Sequence, residues 1–537
     1  MKRAVLLWLA GAGVVAQVFR PAPGAAQSSD MFERIRVEGI ERSQIASTFA
    51  TLTDDIGPRL TASPAFVRAV EWSRDRMRAI GLTNAHTESW PFGRGWVLDG
   101  LTIEMTAPRY SPIIGYADAW SPSTNGDVTG TPIMIGGKSA ADVAAMRDRL
   151  KGAIVLMQPE ATFITADRPQ PTLSDTPVRT GAPPSPAPRQ DPAEARQIAQ
   201  TLREAGAALL VRTSIGQHGT VFVQRRDEGP GAIPSIVIAG EHYGMLVRLL
   251  ARGLPLTLHV NIKSHYVTGD TNGYNVIGDI PGTDPQLKED VVLLGAHLDS
   301  WHTASGAADN ADGAASVLEA ARILRTIGAR PKRTIRFALW GGEEEGLLGS
   351  KAYVQQHYAG DANRAAREHV FVYLNEDPGY GPVYGWYLED TPAVQPLFDA
   401  WLEPLKPLGA RRNVLAGIGA TDHLSFREVG IPGFNAIQEY ADYDVRIHHT
   451  NMDTPERIRP QDLKQSAVAL AWFAWQAANT DQRVPRPERG DGVQPGPAST
   501  TSMHQRLRPE RGDGVQPGGA RPPSESERGW GPASIKK

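Results

Sequence analysis

From residue 272 to about residue 480 the chain alternates short apolar runs with helix-forming stretches, and few folds accommodate that alternation. "VVLLGA" at 291–296, "TIRFALW" at 334–340 and "VFVYLN" at 370–375 read as strands, and "AASVLEAARILRTIG" and "GSKAYVQQHY" between them read as helices. Strands alternating with helices predict an α/β fold with a mainly parallel central sheet flanked by helices on both faces. In such sheets ligands gather outside the carboxyl ends of the strands. The segment 28–108 is expected to be the N-terminal part of the same domain, whose remainder is 267–480. Within it, Phe66, Val70, Trp72, Met77 and Ile80 follow a helical stripe that Gly81 would cap.

The segment 109–266 has a different character. "TPIMIGG", "GAIVLMQ", "AALLVRT", "IPSIVIA" and "LTLHVNI" read as strands, and "DPAEARQIAQTLREAG" as a helix, which predicts a small α/β insertion. A chain of 537 residues has room for it beside the larger domain. The Pro- and Ser-rich stretch "RPQPTLSDTPVRTGAPPSPAPRQDP" inside the insertion reads as an exposed loop.

Both ends carry signals of another kind. Lys2 and Arg3, the apolar run "AVLLWLAGAGVVAQV" and the small residues of "PGAAQSS" follow the order of a secretory signal peptide, with cleavage near Ala26 or Gln27. Residues 1–27 are therefore expected to be removed on export to the periplasm or the exterior. The apolar run is shorter than the ~20 residues that span a bilayer, so no stable membrane anchor is expected after processing. Residues 481–537 repeat "RPERGDGVQPG" at 486–496 and 508–518 with almost no apolar side chains, and are expected to form a disordered Pro/Gly/Arg-rich tail. Its two Arg-Gly-Asp triplets, at 489–491 and 511–513, read as part of a duplicated linker and not as an adhesion signal.

Charge and cysteine content narrow the chemistry. A net charge of -3 gives no bulk attraction to nucleic acid or to an anionic membrane surface. With no cysteine in the chain, any zinc must be held by His, Asp and Glu. Those residue types collect where the predicted strands end. "GAHLDSWHTASGAADNADG" brings His297, Asp299 and Asp309. "FALWGGEEEGLLGS" brings Glu343, Glu344 and Glu345, whose ionised burial would be costly without a cation. "VYLNEDPGYG" brings Glu376 and Asp377, and "RIHHTNMDT" brings His448 and His449 behind the loop "AGIGATDHLSF". Each cluster alone fits a solvated acidic loop. Their joint placement at successive strand ends fits a cation site whose mixed nitrogen and oxygen donors suit zinc, or less specifically cobalt or manganese.

The ordered set "HLDS", "GAADNADG", "EEEGLLGS", "NED" and "HHTNMDT" resembles the co-catalytic di-zinc exopeptidases of the aminopeptidase and plasma glutamate carboxypeptidase type, and the middle segment resembles the protease-associated domain that many of them carry. The resemblance implies the zinc exopeptidase fold and two Zn2+ per chain. His297, Asp309 and Asp377 would bind one ion, and Asp309, Glu344 and His449 the other, with Asp309 as the bridge. Asp299 would orient His297, and Glu343 would be the general base. His448 would stabilise the oxyanion, since relatives place Tyr or His before the last ligand. The Asp309–Asn310 bond falls where relatives often have a cis peptide, while Glu345, His302 and Asp312 are left out of the site. The implied activity is hydrolysis of peptides at their ends, or of dipeptides, by a two-metal-activated water. A homodimer is also compatible with the family. The alternatives are a non-catalytic binding protein of the same fold and a single-zinc aminoacyl cyclase. The intact ligand set and base favour the peptidase, while aminopeptidase, carboxypeptidase and dipeptidase all stay open.

Overall fold

The run Val291–His297 forms a strand in which every residue after Val291 is buried, as expected of a strand covered on both faces. It lies at the middle of a seven-stranded sheet. The spatial order is Thr83–Pro91, Asn272–Ile280, Thr334–Trp340, Val291–His297, Val370–Asn375, Gly433–Glu439 and Tyr380–Tyr387. The computed structural model describes residues 23–168, 191–224, 229 and 231–487. All of these lie in one structural unit, residues 1–491. The expected tail lies almost wholly outside the described residues, as does the expected leader apart from the residues that open the helix Pro23–Arg36.

The sheet is parallel across its four inner strands, from Thr334–Trp340 to Gly433–Glu439, and antiparallel at both margins. The margins differ because their connections do. Only residues 376–379 separate Val370–Asn375 from Tyr380–Tyr387, too few for the crossover that a parallel return needs. The inner register pairs His297 with Trp340, Gly295 with Asn375 and Asn375 with Asn435, so the carboxyl ends of the inner strands finish near one level.

Two helices show how the sequence builds the layers. Pro64–Ile80 starts with Ser63 accepting a hydrogen bond from Phe66 N at 3.2 Å, with Pro64 in the first turn. It ends at Gly81, whose φ of 87° admits Leu82 N to the carbonyl of Met77. Phe66, Val70 and Met77 of the stripe are buried, while Trp72 and Ile80 pack half-buried at its edge. Asp312–Thr326 is buried nearly all round, packed beside the Ala-rich helix Pro460–Asn479, and both helices lie against the sheet in one continuous apolar core.

Between residues 96 and 266 the chain forms two further sheets. Trp96–Ala107 pairs along its length with Thr257–Tyr266, and the short strands Ser111–Pro112 and Val128–Gly130 complete a four-stranded sheet. Ser235–Ile238, Leu209–Thr213, Ile154–Leu156 and Ile133–Met134 run parallel in a five-stranded sheet that Gly115–Ala117 closes. The helix Pro192–Ala205 precedes Leu209–Thr213, with Asp191 capping its start and Gly206 its end. These sheets enclose their own apolar cluster, which includes Trp96, Leu156, Val211 and Ile236.

Candidate metal centre

Four parallel strands deliver the candidate residues to one place. His297 ends its strand, Glu343 and Glu344 follow Thr334–Trp340, Asp377 follows Val370–Asn375, and the loop after Gly433–Glu439 carries His448 and His449. Asp309 arrives on the loop from His297 to the helix Asp312–Thr326. Its peptide bond to Asn310 is cis, as is Asp377–Pro378.

The Asp309 carboxylate lies between the two histidines. Its Oδ1 is 3.1 Å from Nε2 of His297, and its Oδ2 is 3.6 Å from Nε2 of His449. Asp377 Oδ1 lies 3.8 Å from His297 Nε2, and Glu344 Oε2 lies 2.8 Å from His449 Nε2. Two nitrogen and carboxylate groups therefore share one central carboxylate. Ligand atoms of His297, Glu343 and Asp377 lie within 4.8 Å of one another, as do those of Asp309, His448 and His449. Glu343 thus borders the first group and His448 the second.

Asp299 has a wider part than orienting one ring. Its carbonyl oxygen lies 3.1 Å from Nδ1 of His297, and its carboxylate accepts the backbone N–H groups of Glu343 and Glu344, each at 3.2 Å. Thr61 Oγ1 donates to the same carboxylate at 3.2 Å. One buried residue therefore ties the first histidine, through its backbone, to the glutamate pair, through its carboxylate.

The electrostatics of the cluster suit a cation. Burial raises the Glu343 and Glu344 carboxyls well above the ordinary range, and Asp309 pushes Glu344 further. Burial draws the His297 imidazole down, yet the surrounding Asp299, Asp309 and Asp377 lift it well above its usual value. Burial, reinforced by His449, keeps His448 neutral, its pKa well below normal. Asp309 Oδ2 and Glu344 Oε1 are buried without a hydrogen-bond partner among the described residues. Buried acceptors facing two imidazole nitrogens are the surroundings that zinc fits, and a divalent ion would also offset the crowded carboxylates.

Three supporting residues escaped the sequence analysis. Asp453, four positions beyond His449, accepts from Ala308 N at 2.7 Å and Asp309 N at 3.2 Å, and burial beside Asp309 pushes its carboxyl up to about 7. Its place in the "HHTNMDT" run was the signal available. Arg59 is fully buried and donates to the carbonyls of Leu52, Gly57, Leu298, Ser305 and Gly306 at 2.7–3.1 Å. Burial brings its pKa down to about 10. The third is Gln224, whose amide meets Nδ1 of His449.

The small residues of "GAADNADG" have a steric cause. A Cβ at Gly313 would come within 2.3 Å of Asn310 Oδ1 and 2.8 Å of the Glu376 carbonyl. Those atoms are already bonded, Asn310 Nδ2 to the Glu376 carbonyl at 2.8 Å and Gly313 N to Asn310 Oδ1 at 3.0 Å. Gly313→Ala is expected to destabilise the protein by about 1–3 kcal/mol, measured by urea unfolding, because Asn310 must move in a packed interior. Asp312 is buried at the helix start and accepts from Gly313 N. His302 turns away from the centre and donates to the Ala117 carbonyl at 2.9 Å. Glu345 is buried, and Trp301 packs edge-on to His449 at 5.8 Å between ring centres.

Residues 275–474 match the sequence model described as Peptidase family M28. The chain is 25% identical over 457 residues to carboxypeptidase Q of Bos taurus, covering 84% of this chain and 89% of that protein. In structure it is similar to a peptidase M28 precursor from Shewanella amazonensis SB2B, with a TM-score of 0.65 and 25% identity, over 86% of this chain and 99% of the other. The zinc aminopeptidase of Bacillus subtilis shares the fold, with a TM-score of 0.54 and 20% identity over 82% of this chain and 96% of that one.

Proposed function

We propose that this chain, a metallo-exopeptidase homologous to members of peptidase family M28, is an exported enzyme holding two zinc ions, which removes residues from peptide ends or splits dipeptides. The observation that carries the two-ion reading is Asp309, which turns one carboxylate oxygen to His297 and the other to His449. In this reading His297, Asp309 and Asp377 hold one ion, and Asp309, Glu344 and His449 the other. The chemistry that bound zinc supplies is Lewis-acid polarisation of the peptide carbonyl and acidification of water.

The chain's own residues do the rest. Glu343 takes a proton from the attacking water at its carboxylate and returns it to the leaving amine. Its raised pKa, caused first by burial, suits a group that must both accept and donate. Neutral His448 offers an N–H to the developing oxyanion. Asp299 fixes the backbone beneath Glu343 and Glu344, so base and ligand keep their spacing.

The leader-like residues 1–27 support export, and no helix among the described residues is long and apolar enough to cross a membrane. We read the middle segment as a protease-associated domain. A panel of free, N-blocked and C-blocked peptides, with dipeptides included, tests the activity. Hydrolysis is expected from one free end only, abolished by a chelator and restored by zinc. Cleavage of C-blocked but not N-blocked peptides would mark an aminopeptidase, and the reverse a carboxypeptidase. No hydrolysis of any member by the zinc-loaded protein would sink the proposal.

A further inference from the structure

The middle segment grips the loop that carries His448 and His449 at two points. Asp167 accepts from the backbone N–H of Asp442 at 2.7 Å and of Val445 at 3.1 Å. Arg168 donates to Asp444, from Nη2 to Oδ1 at 2.6 Å and from its backbone N to Oδ2 at 2.8 Å. Further along, Val223 N donates to the His449 carbonyl at 3.0 Å, and Phe222 pairs with Thr450 as an antiparallel bridge. Val221 N donates to Asn451 Oδ1 at 2.7 Å, and Asn451 N returns a bond to the Val221 carbonyl at 3.2 Å.

The grip falls where the loop is under strain. His449 has a φ of 61°, a left-handed conformation unfavourable for a residue with a Cβ. It persists only where surrounding structure imposes it. The bond from Val223 N to the His449 carbonyl does so directly.

The next residue reaches the ring itself. An imidazole that binds a cation through Nε2 carries its proton on Nδ1 and needs an acceptor there. For His297 the acceptor is the carbonyl of Asp299, two residues away. For His449 the group at Nδ1 is the side-chain amide of Gln224, 225 residues distant in sequence. The amide oxygen and nitrogen exchange places by a half-turn, so its oxygen is available to that N–H.

We propose that Gln224 is a positioning residue for the second cation site, fixing the ring of His449 through Nδ1, so that the middle segment completes the metal centre as well as bordering it. This rests on the two-zinc reading above. Gln224 is exposed, so its replacement leaves the core intact.

The test is zinc binding to the full chain, measured as zinc per chain and as affinity in a metal-buffered series, for the parent protein, Gln224→Ala and Gln224→Glu. Gln224→Ala is expected to keep one tight zinc and bind the other about 10- to 100-fold more weakly, the usual loss when a partner behind a metal-binding histidine is removed. Gln224→Glu, which retains an acceptor, is expected to restore the affinity. Two tight zinc ions in Gln224→Ala would overturn the positioning role while leaving the two-zinc reading intact. Equal weakening in both variants would also overturn it, since loop packing alone would then be responsible. Fewer than two zinc ions in the parent protein would defeat the underlying reading, and this inference with it.

Discussion

Glu343→Gln is expected to leave the zinc content unchanged and to lower kcat by about 10²- to 10⁴-fold, the usual contribution of a positioned general base. The substitution preserves shape and removes only the ability to take a proton. The backbone N–H of residue 343 stays bonded to Asp299, so the side chain starts from the same position. The geometry makes the zinc measurement decisive, because Glu343 also lies within ligand reach of His297 and Asp377. If the variant loses zinc, Glu343 is a ligand and the base must be sought elsewhere. Glu344→Gln provides the contrast, since Glu344 Oε2 sits 2.8 Å from His449 Nε2 and its loss is expected to weaken zinc at that site. Elemental analysis together with steady-state kinetics on both variants separates the roles of two adjacent glutamates.

The strands and their ends were legible in the sequence because their signals are local. Runs such as "VVLLGA" and "VFVYL" are nearly continuous in apolar residues, as a strand buried on both faces requires whatever surrounds it. The acids and histidines that follow them stand out for the same reason. What was not legible depends on contacts remote in sequence. No local pattern marks Arg59, whose guanidinium lies among carbonyls from residues 52 to 57 and 298 to 306. Asp299 was expected to serve His297, two residues away, but its bonds to the N–H groups of Glu343 and Glu344 span 44 and 45 residues. Gln224 carries no motif at all, and only the docking of its segment on residues 449–451 gives it a part. The antiparallel margins of the sheet were hidden likewise, because strand direction is set by connections and not by apolar pattern.

Asp309→Ala is expected to empty both metal positions, whereas His449→Ala should empty only one. The difference follows from the placement of a single carboxylate. Oδ1 of Asp309 faces His297 at 3.1 Å, and Oδ2 faces His449 at 3.6 Å with no hydrogen-bond partner of its own among the described residues. Asp453 holds the backbone behind it by accepting from Ala308 N and Asp309 N, so the carboxylate is presented between the two histidines and is not free to serve either alone. In the proposed two-ion arrangement, removing it would take one ligand from each ion and the negative charge that would let two cations sit close together. Asp453→Asn is expected to act more mildly, weakening zinc about 10- to 100-fold by loosening the support behind a ligand. Zinc per chain by elemental analysis, with residual hydrolysis measured beside it, orders the three variants. A full single zinc retained by Asp309→Ala would show that one of the two positions is built without it, and the bridging arrangement would have to be abandoned.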